Sequence, residues 1–177
     1  TLDWLNDQGV CMQVADDLSE FRLEGKQRYN PFRKTIPADF STATFAACAA
    51  AVTRGELTIA NLDFSDRQGD KAVFDYFETM GASVVRGHRH TVMRCENPLK
   101  GAELDLNATP DALPAMAVAA CFAEGKTVLG NVPQARIKET DRISCMCEEL
   151  RKMGADVEEL DDGMIIQGRP LTGAEVD

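Results

Sequence analysis

The run Met116-Ala-Val-Ala-Ala-Cys-Phe-Ala-Glu-Gly125-Lys-Thr-Val-Leu-Gly-Asn131-Val132 decides the fold, because the same pattern occurs earlier in the chain. The earlier copy is Phe45-Ala-Ala-Cys-Ala-Ala-Ala-Val-Thr-Arg-Gly55-Glu-Leu-Thr-Ile-Ala-Asn61-Leu62. Each reads as a helix of small residues, a Gly, and an alternating strand that ends in Asn and an aliphatic residue. Gly55 and Gly125 are 70 residues apart, and so are Asn61 and Asn131. Self-similarity at a fixed period marks a fold made by repeating one supersecondary unit.

The pattern extends outward from these runs. Phe74-Asp-Tyr-Phe-Glu-Thr-Met80-Gly81-Ala82 parallels Cys147-Glu-Glu-Leu-Arg-Lys-Met153-Gly154-Ala155. Both predict amphipathic helices closed by a Gly at the position where the backbone needs φ > 0. A strand pair is expected after each, Ser83–Arg86 with Thr91–Cys95 and Asp156–Leu160 with Met164–Gln167. The beginning of the chain reads as the tail of a further copy. Leu2–Gln8 is its helix, Gly9 the cap, and Met12–Val14 with Phe21–Glu24 the strand pair.

One unit is therefore strand–helix–strand–helix–strand–strand over about 70 residues, and the chain holds two near-complete units. Strands at Leu57/Ile59 and Leu104/Leu106 alternate, so each sheet buries one face. Helices Thr42–Thr53 and Ala112–Glu124 are apolar nearly all round, a pattern that predicts burial on every side. The expected fold class is α/β, with helices inside and sheets outside. Tyr29-Asn-Pro-Phe-Arg-Lys-Thr-Ile-Pro37 has the turn signals of a connector. Trp4 and Leu5 read as mid-helix, and Gly173–Asp177 as a loop with no closing element. The chain is expected to be a fragment.

Composition narrows the partners. The 177 residues carry a net charge of −10, which argues against nucleic acid or an anionic membrane as a partner. No apolar run approaches the ~20 residues of a membrane span. Cys48 and Cys121 lie inside Ala-rich helical runs, and Cys145-Met-Cys147 is too tight for zinc ligation. The six cysteines read as core thiols of a reducing, cytoplasmic protein.

Chemistry concentrates in Arg136-Ile-Lys138-Glu139-Thr140-Asp141-Arg142, at the expected start of the helix that runs to Met153. Glu139 and Asp141 complement the positive end of a helix dipole. Lys138 and Arg142 oppose it, at i and i+4. The segment is either a solvated helix start with local ion pairs or a site that an anion relieves. Asp111, in Pro110-Asp111-Ala112, precedes an apolar helix and fits an N-cap. In the repeat frame Asp111 and Lys138 also open two helices of one unit, and both starts fall at one end if the helices run together. Asp39-Phe-Ser41-Thr42 and Gln68-Gly69-Asp70-Lys71 are the matching positions one unit back and read as caps. His88 and His90 fall in a solvated turn.

Together these motifs resemble the 5-enolpyruvylshikimate-3-phosphate synthase (EPSP synthase) family. Lys138-Glu139-Thr140-Asp141-Arg142, preceded by Arg136, looks like the family's signature run. Pro110-Asp111-Ala112 is similar to its catalytic aspartate motif, Asp39-Phe-Ser41-Thr42-Ala43 to its Asp-x-Ser-Ser-Ala segment, and Gln68-Gly69-Asp70 is shared too. The likeness spans nearly the whole chain in order.

The resemblance implies an enolpyruvyl transferase-like fold of six units in two domains. Residues 1–34 would end a unit of the neighbouring domain, and residues 35–177 would form one domain, incomplete at its end. It implies transfer of the enolpyruvyl group of phosphoenolpyruvate to the 5-hydroxyl of shikimate-3-phosphate, with release of phosphate and without metal or organic cofactor. Asp111 and Glu139 would be the catalytic acid–base groups. Asp111 would hold the acceptor hydroxyls, Lys138 the 5-hydroxyl, Arg142 the donor carboxylate and Gln134 the acceptor phosphate. Burial raises the pKa of Glu139 while Lys138 and Arg142 lower it, and the sequence leaves the balance open.

The family's Ser-Ser-Gln segment, early Lys and Arg, late Asp-His-Arg motif and terminal Lys are not found in these residues. The isolated chain is therefore expected to lack turnover and to need the remainder of the same enzyme. UDP-N-acetylglucosamine enolpyruvyl transferase, which shares fold and donor, is the nearest alternative, and the Lys-Glu-Thr-Asp-Arg run speaks against it. A non-catalytic anion-binding domain is a third reading. RNA-cyclase-like proteins fit less well, given the acidic charge.

Overall fold

The structure, a computed structural model, describes residues 1–88 and 90–176. The chain divides into two compact units, Thr1–Ile36 and Pro37–Asp177.

The first unit contains α1 (Leu2–Asp7) and a hairpin of β1 (Met12–Val14) with β2 (Phe21–Leu23), paired antiparallel from Met12↔Leu23 to Val14↔Phe21. Gly9, at φ 76°, turns the chain out of α1. The Gln27 amide accepts from Cys11 N at 2.7 Å and donates to Cys11 O at 2.8 Å, which ties the loop back to β1. Lys34 lies over the Trp4 ring and pairs with Asp7 at 2.8 Å. Val10 is the one buried residue among those described here. So little apolar burial does not offset the conformational entropy of ordering 36 residues.

The second unit carries the core. It begins with α2 (Phe40–Val52), β3 (Glu56–Ala60), α3 (Val73–Thr79), β4 (Ser83–Arg86) and β5 (His90–Arg94). It continues with β6 (Glu103–Asp105), α4 (Leu113–Cys121), β7 (Lys126–Gly130), α5 (Arg142–Lys152), β8 (Asp156–Leu160) and β9 (Gly163–Gln167). One antiparallel sheet has the order β3-β5-β4. The other has the order β6-β7-β9-β8, with β6–β7 parallel and the remaining pairs antiparallel.

The second repeat is thus a full strand–helix–strand–helix–strand–strand unit. The first lacks its leading strand. Thr35–Asp39 has no strand pairing, and a single bond from Ala38 N to Asn61 O at 2.8 Å stands where the second repeat has its parallel β6–β7 ladder. Pro37, in the middle of this stretch, cannot donate to a ladder. Repeat geometry is otherwise kept. Asn61 and Asn131 both turn at positive φ, 64° and 57°, as do Gly81 and Gly154 at 102° and 82°.

Helices pack between the sheets as the pattern requires. Small residues let α2 and α4 approach so closely that Cys48 Sγ reaches Ala115 O at 3.1 Å. α4 is buried nearly all round, through Leu113, Ala115, Met116, Ala117, Ala119, Ala120 and Cys121. Burying each Leu or Met side chain of this core contributes about 1.5–3 kcal/mol. The sheet of the first repeat is anchored by Phe40, Phe64 and Phe74, packed edge to face with centroids 5.0–5.9 Å apart.

α2 departs from the expectation of burial on every side. Phe40, Ala43, Thr44, Ala47, Cys48 and Ala51 bury one stripe, while Phe45, Ala46 and Ala49 are exposed. The residues are apolar all round, but only one side of the helix meets α3, α4 and the sheet within this unit. The thiols divide similarly. Cys48, Cys95, Cys121 and Cys147 are buried, whereas Cys11 and Cys145 are exposed rather than in the core. Burial pushes the Cys48, Cys121 and Cys147 thiols up to about 11, which makes them packing groups rather than nucleophiles.

Candidate active site

Three helix starts, those of α2, α4 and α5, meet at one end of the second unit. Each is set by different local chemistry. α2 is capped by Asp39, whose carboxylate accepts from Thr42 N at 2.8 Å and from the Thr42 hydroxyl at 2.6 Å. Gln68 braces the same turn, accepting from Phe40 N and donating to Ala38 O. Ser41 donates to Asp70, and Lys71 donates to the carbonyls of Phe64 and Asp66. Asp39 therefore caps α2, as the capping reading held, whereas Gln68 makes no cap bond to the turn it precedes and Lys71 ties the Phe64–Asp66 loop instead.

At α4 the capping reading fails. Pro110–Ala112 form a 3-10 turn, and the Asp111 carboxylate makes no cap bond to the helix. The turn is held from the other repeat instead. Tyr76 donates to Asp105 O at 2.7 Å, and its hydroxyl lies 3.2 Å from that of buried Thr109. Asp111 is left to point outward, where it meets Arg142 Nη1 at 2.7 Å and Lys138 Nζ at 3.2 Å.

At α5 the cap is Asp141, which accepts from Ser144 N at 3.0 Å. The helix begins at Arg142, so Lys138 lies in a loop with extended backbone and not one helical turn before Arg142. The expected i, i+4 geometry is corrected accordingly, since the 3-10 turn Pro133–Ile137 and the Asp141 cap break the helix between the two cations. What brings them together is their shared carboxylate, Asp111. Arg142 also holds Glu139 through both oxygens, at 2.8 and 2.9 Å.

Asp111, Lys138, Glu139 and Arg142 thus form one alternating cluster, of which Asp111, Glu139 and Arg142 line a cleft of about 390 Å³ and Lys138 is joined through Asp111. Ser41 and Phe45 of α2 supply one side, Pro114 of α4 another, and Cys145 and Met146 of α5 a third. The space suits a small molecule. Gln134 is not brought to it. The Gln134 amide donates to Asn107 O at 2.6 Å and does not line the cleft. Phe45 and Cys145 were not singled out by sequence. A lone aromatic in an Ala run and an unpaired thiol one turn into α5 are the only signals either gives.

The electrostatics resolve what the sequence left open. Hydrogen bonding to the Arg142 fork, with the nearby charges of Arg142 and Lys138, holds Glu139 below its ordinary carboxyl range. For Asp111, partial burial is the largest single effect and pushes the carboxyl up. The bonds and charges of Arg142 and Lys138 together outweigh it and hold the group low. Both carboxylates are ionised at neutral pH, and the four charges cancel. An incoming anion must take Arg142 from carboxylates that already hold it.

Depressed pKa values have a defined consequence for stability. A carboxyl that is more acidic when folded stabilises fully above its unfolded value, 3.8 for Asp and 4.5 for Glu, and loses that contribution as pH falls through its folded value. Arg142→Gln removes the main partner of both carboxylates. The variant is expected to be less stable than the parent above the unfolded values, and the two are expected to converge as pH falls through the folded values of Asp111 and Glu139. Urea unfolding of the full-length proteins, followed by circular dichroism at neutral pH and at successively lower pH, checks this, and a stability difference that does not shrink as pH falls would contradict it.

All 177 residues match the family model of EPSP synthase (3-phosphoshikimate 1-carboxyvinyltransferase). The chain is 54% identical over 176 residues to the 3-phosphoshikimate 1-carboxyvinyltransferase of Ruminiclostridium cellulolyticum, covering 99% of the chain and 41% of that protein. It is 38% identical over 177 residues to the enzyme of the same name from Methanocaldococcus jannaschii, again covering 41% of it. A solved EPSP synthase from Acinetobacter baumannii superimposes with a TM-score of 0.74 at 28% identity, over 93% of this chain and 39% of that one. The chain therefore spans about two fifths of the length of the relatives it matches. With the whole of its sequence matched to that model, the chain belongs to the EPSP synthase family.

Proposed function

We propose that this chain supplies one wall of the active site of a 3-phosphoshikimate 1-carboxyvinyltransferase. The whole enzyme moves the enolpyruvyl group of phosphoenolpyruvate to the 5-hydroxyl of shikimate-3-phosphate and releases phosphate. The observation that carries this reading is the Asp111–Lys138–Glu139–Arg142 cluster, in which two acids and two cations are bonded together and Asp111, Glu139 and Arg142 line one cleft.

The roles follow from position and charge. Arg142 takes the donor carboxylate, because a guanidinium fork that already holds two carboxylates suits a third. Once the donor occupies that fork, Glu139 loses the partner that keeps it ionised. It can then carry a proton to the methylene carbon of the donor. Asp111 accepts the proton of the 5-hydroxyl as its oxygen attacks the central carbon, and Lys138 steadies that oxygen. Loss of a proton from the new methyl group and departure of phosphate complete the transfer. No cofactor enters these steps. Gln134 would have to leave Asn107 to reach the acceptor phosphate.

Residues 1–34 belong, in this reading, to the end of a unit in the neighbouring domain, and residues 35–177 to one domain whose remainder lies elsewhere in the polypeptide. Sparse burial in the first unit and the exposed face of α2 support that division. A cytoplasmic location goes with it. No helix among the described residues is long and apolar enough to cross a membrane.

Acceptor competition tests the proposal. The full-length enzyme is offered phosphoenolpyruvate with shikimate-3-phosphate or UDP-N-acetylglucosamine, and phosphate is measured. Release with shikimate-3-phosphate alone is expected, and the isolated 177-residue chain is expected to release none. Release only with the nucleotide sugar would overturn the assignment.

A further inference from the structure

Arg136 lies outside the cleft and has no part in the chemistry above, yet its guanidinium makes more bonds than any other cation near the site. Nε donates to Asp161 O at 2.7 Å and Nη2 to Leu160 O at 2.5 Å. Nη1 donates to Asp141 Oδ2 at 2.8 Å and to Glu159 Oε1 at 3.0 Å. Asp161, Leu160 and Glu159 all belong to the end of β8 and its turn into β9. Asp141 is the cap of α5, with its other oxygen on Ser144 N.

We propose that Arg136 is a positioning residue, which fastens the Lys138–Asp141 loop and the first turn of α5 to the β8–β9 turn and so sets where Lys138, Glu139 and Arg142 stand relative to Asp111. A second tie, Val132 N to Asp162 O at 2.8 Å, fixes the other end of the same segment. The hairpin is a firm anchor. Gly163 lies so close to the Leu129 carbonyl that a side chain would not fit there, and β9 is paired with β7 from Lys126↔Gln167 to Leu129↔Met164. Both ties fall on or beside the 3-10 turn Pro133–Ile137, while Lys138–Asp141 beyond it has no regular secondary structure of its own, and Arg136 is what fastens it.

Only Arg fits this role. Four acceptors in different directions, two of them backbone carbonyls, match the planar five-donor fork and not a single ammonium. Asp141 and Glu159 share one nitrogen, so loss of the cation leaves two neighbouring carboxylates that repel. That repulsion acts on the cap of the helix that carries Arg142. Misplacing a catalytic group by about 1 Å costs on the order of a hundredfold in rate.

The activity arm of the test rests on the function proposed above, and the exchange arm does not. Arg136→Lys and Arg136→Ala are made in the full-length enzyme, with kcat, KM, thermal midpoint and site-resolved amide exchange measured. Arg136→Lys is expected to lower kcat about tenfold and Arg136→Ala about a hundredfold. KM for phosphoenolpyruvate should change little. Exchange should quicken at residues 138–144 and stay unchanged in β9. Unchanged loop exchange in Arg136→Lys would overturn the proposal, and so would a uniform rise in exchange across the unit. Absence of turnover in the parent enzyme sinks the functional reading instead, and the exchange measurement still decides the role of Arg136. Should Arg136→Ala fail to fold, the Lys variant is sufficient.

Discussion

Arg142→Lys in the full-length enzyme is expected to lower kcat/KM for phosphoenolpyruvate at least about a hundredfold, or about 2.7 kcal/mol of transition-state stabilisation. The side chain is only 20% exposed, and its three nitrogens are all used, two on Glu139 and one on Asp111. A lysine keeps the charge and loses the fork. It cannot hold Glu139 and Asp111 in their present relation or take a donor carboxylate through two parallel bonds. Folding stability should change by no more than about 1 kcal/mol, because the pairs lie at the surface, where solvent and salt screen them. Steady-state kinetics beside thermal unfolding separates the two effects. A variant with near-parental kcat/KM removes Arg142 from the donor site.

Asp111→Asn is expected to act on turnover rather than on donor binding. The isosteric amide keeps the shape of the Pro110–Ala112 turn, which depends on Tyr76, Thr109 and backbone bonds and not on the carboxylate. The variant loses the group proposed to accept the hydroxyl proton, and kcat should fall about a thousandfold. It also removes a negative charge from the side of Lys138 and Arg142. KM for phosphoenolpyruvate should therefore stay level or fall, while KM for shikimate-3-phosphate rises. A rise in donor KM with kcat preserved would make Asp111 a donor ligand and not a base.

Much of the fold was legible because the repeat places like residues at like backbone strain. Asn61 and Asn131 end matching strands at positive φ, and Gly81 and Gly154 end matching helices the same way. Burial of α2 was overestimated because apolar residues on every side of a helix show what it can pack against, not what is present to pack. The missing first strand goes with Pro37, whose effect on pairing the period does not reveal.

Four members of the candidate cluster were legible in the sequence, while its geometry, the place of Gln134 and the lining by Phe45 and Cys145 were not. Asp111, Lys138, Glu139 and Arg142 were named from the motifs, and the structure places them in bonded contact. Their arrangement depends on contacts far apart in sequence. Tyr76 holds the turn that frees Asp111, and Glu159 with the β8–β9 turn holds Arg136. Neither contact leaves a periodic or local trace. The ionised state of Glu139 is of the same kind, since it rests on a fork closing on both of its oxygens.

The most direct test of the central claim is the double variant Asp111→Ala/Glu139→Gln of the full-length enzyme, assayed for phosphate release from phosphoenolpyruvate with shikimate-3-phosphate. The account predicts that turnover falls to background while thermal unfolding stays near that of the parent. Turnover that survives both changes would contradict it and leave the cluster as an anion-binding feature without a part in the chemistry.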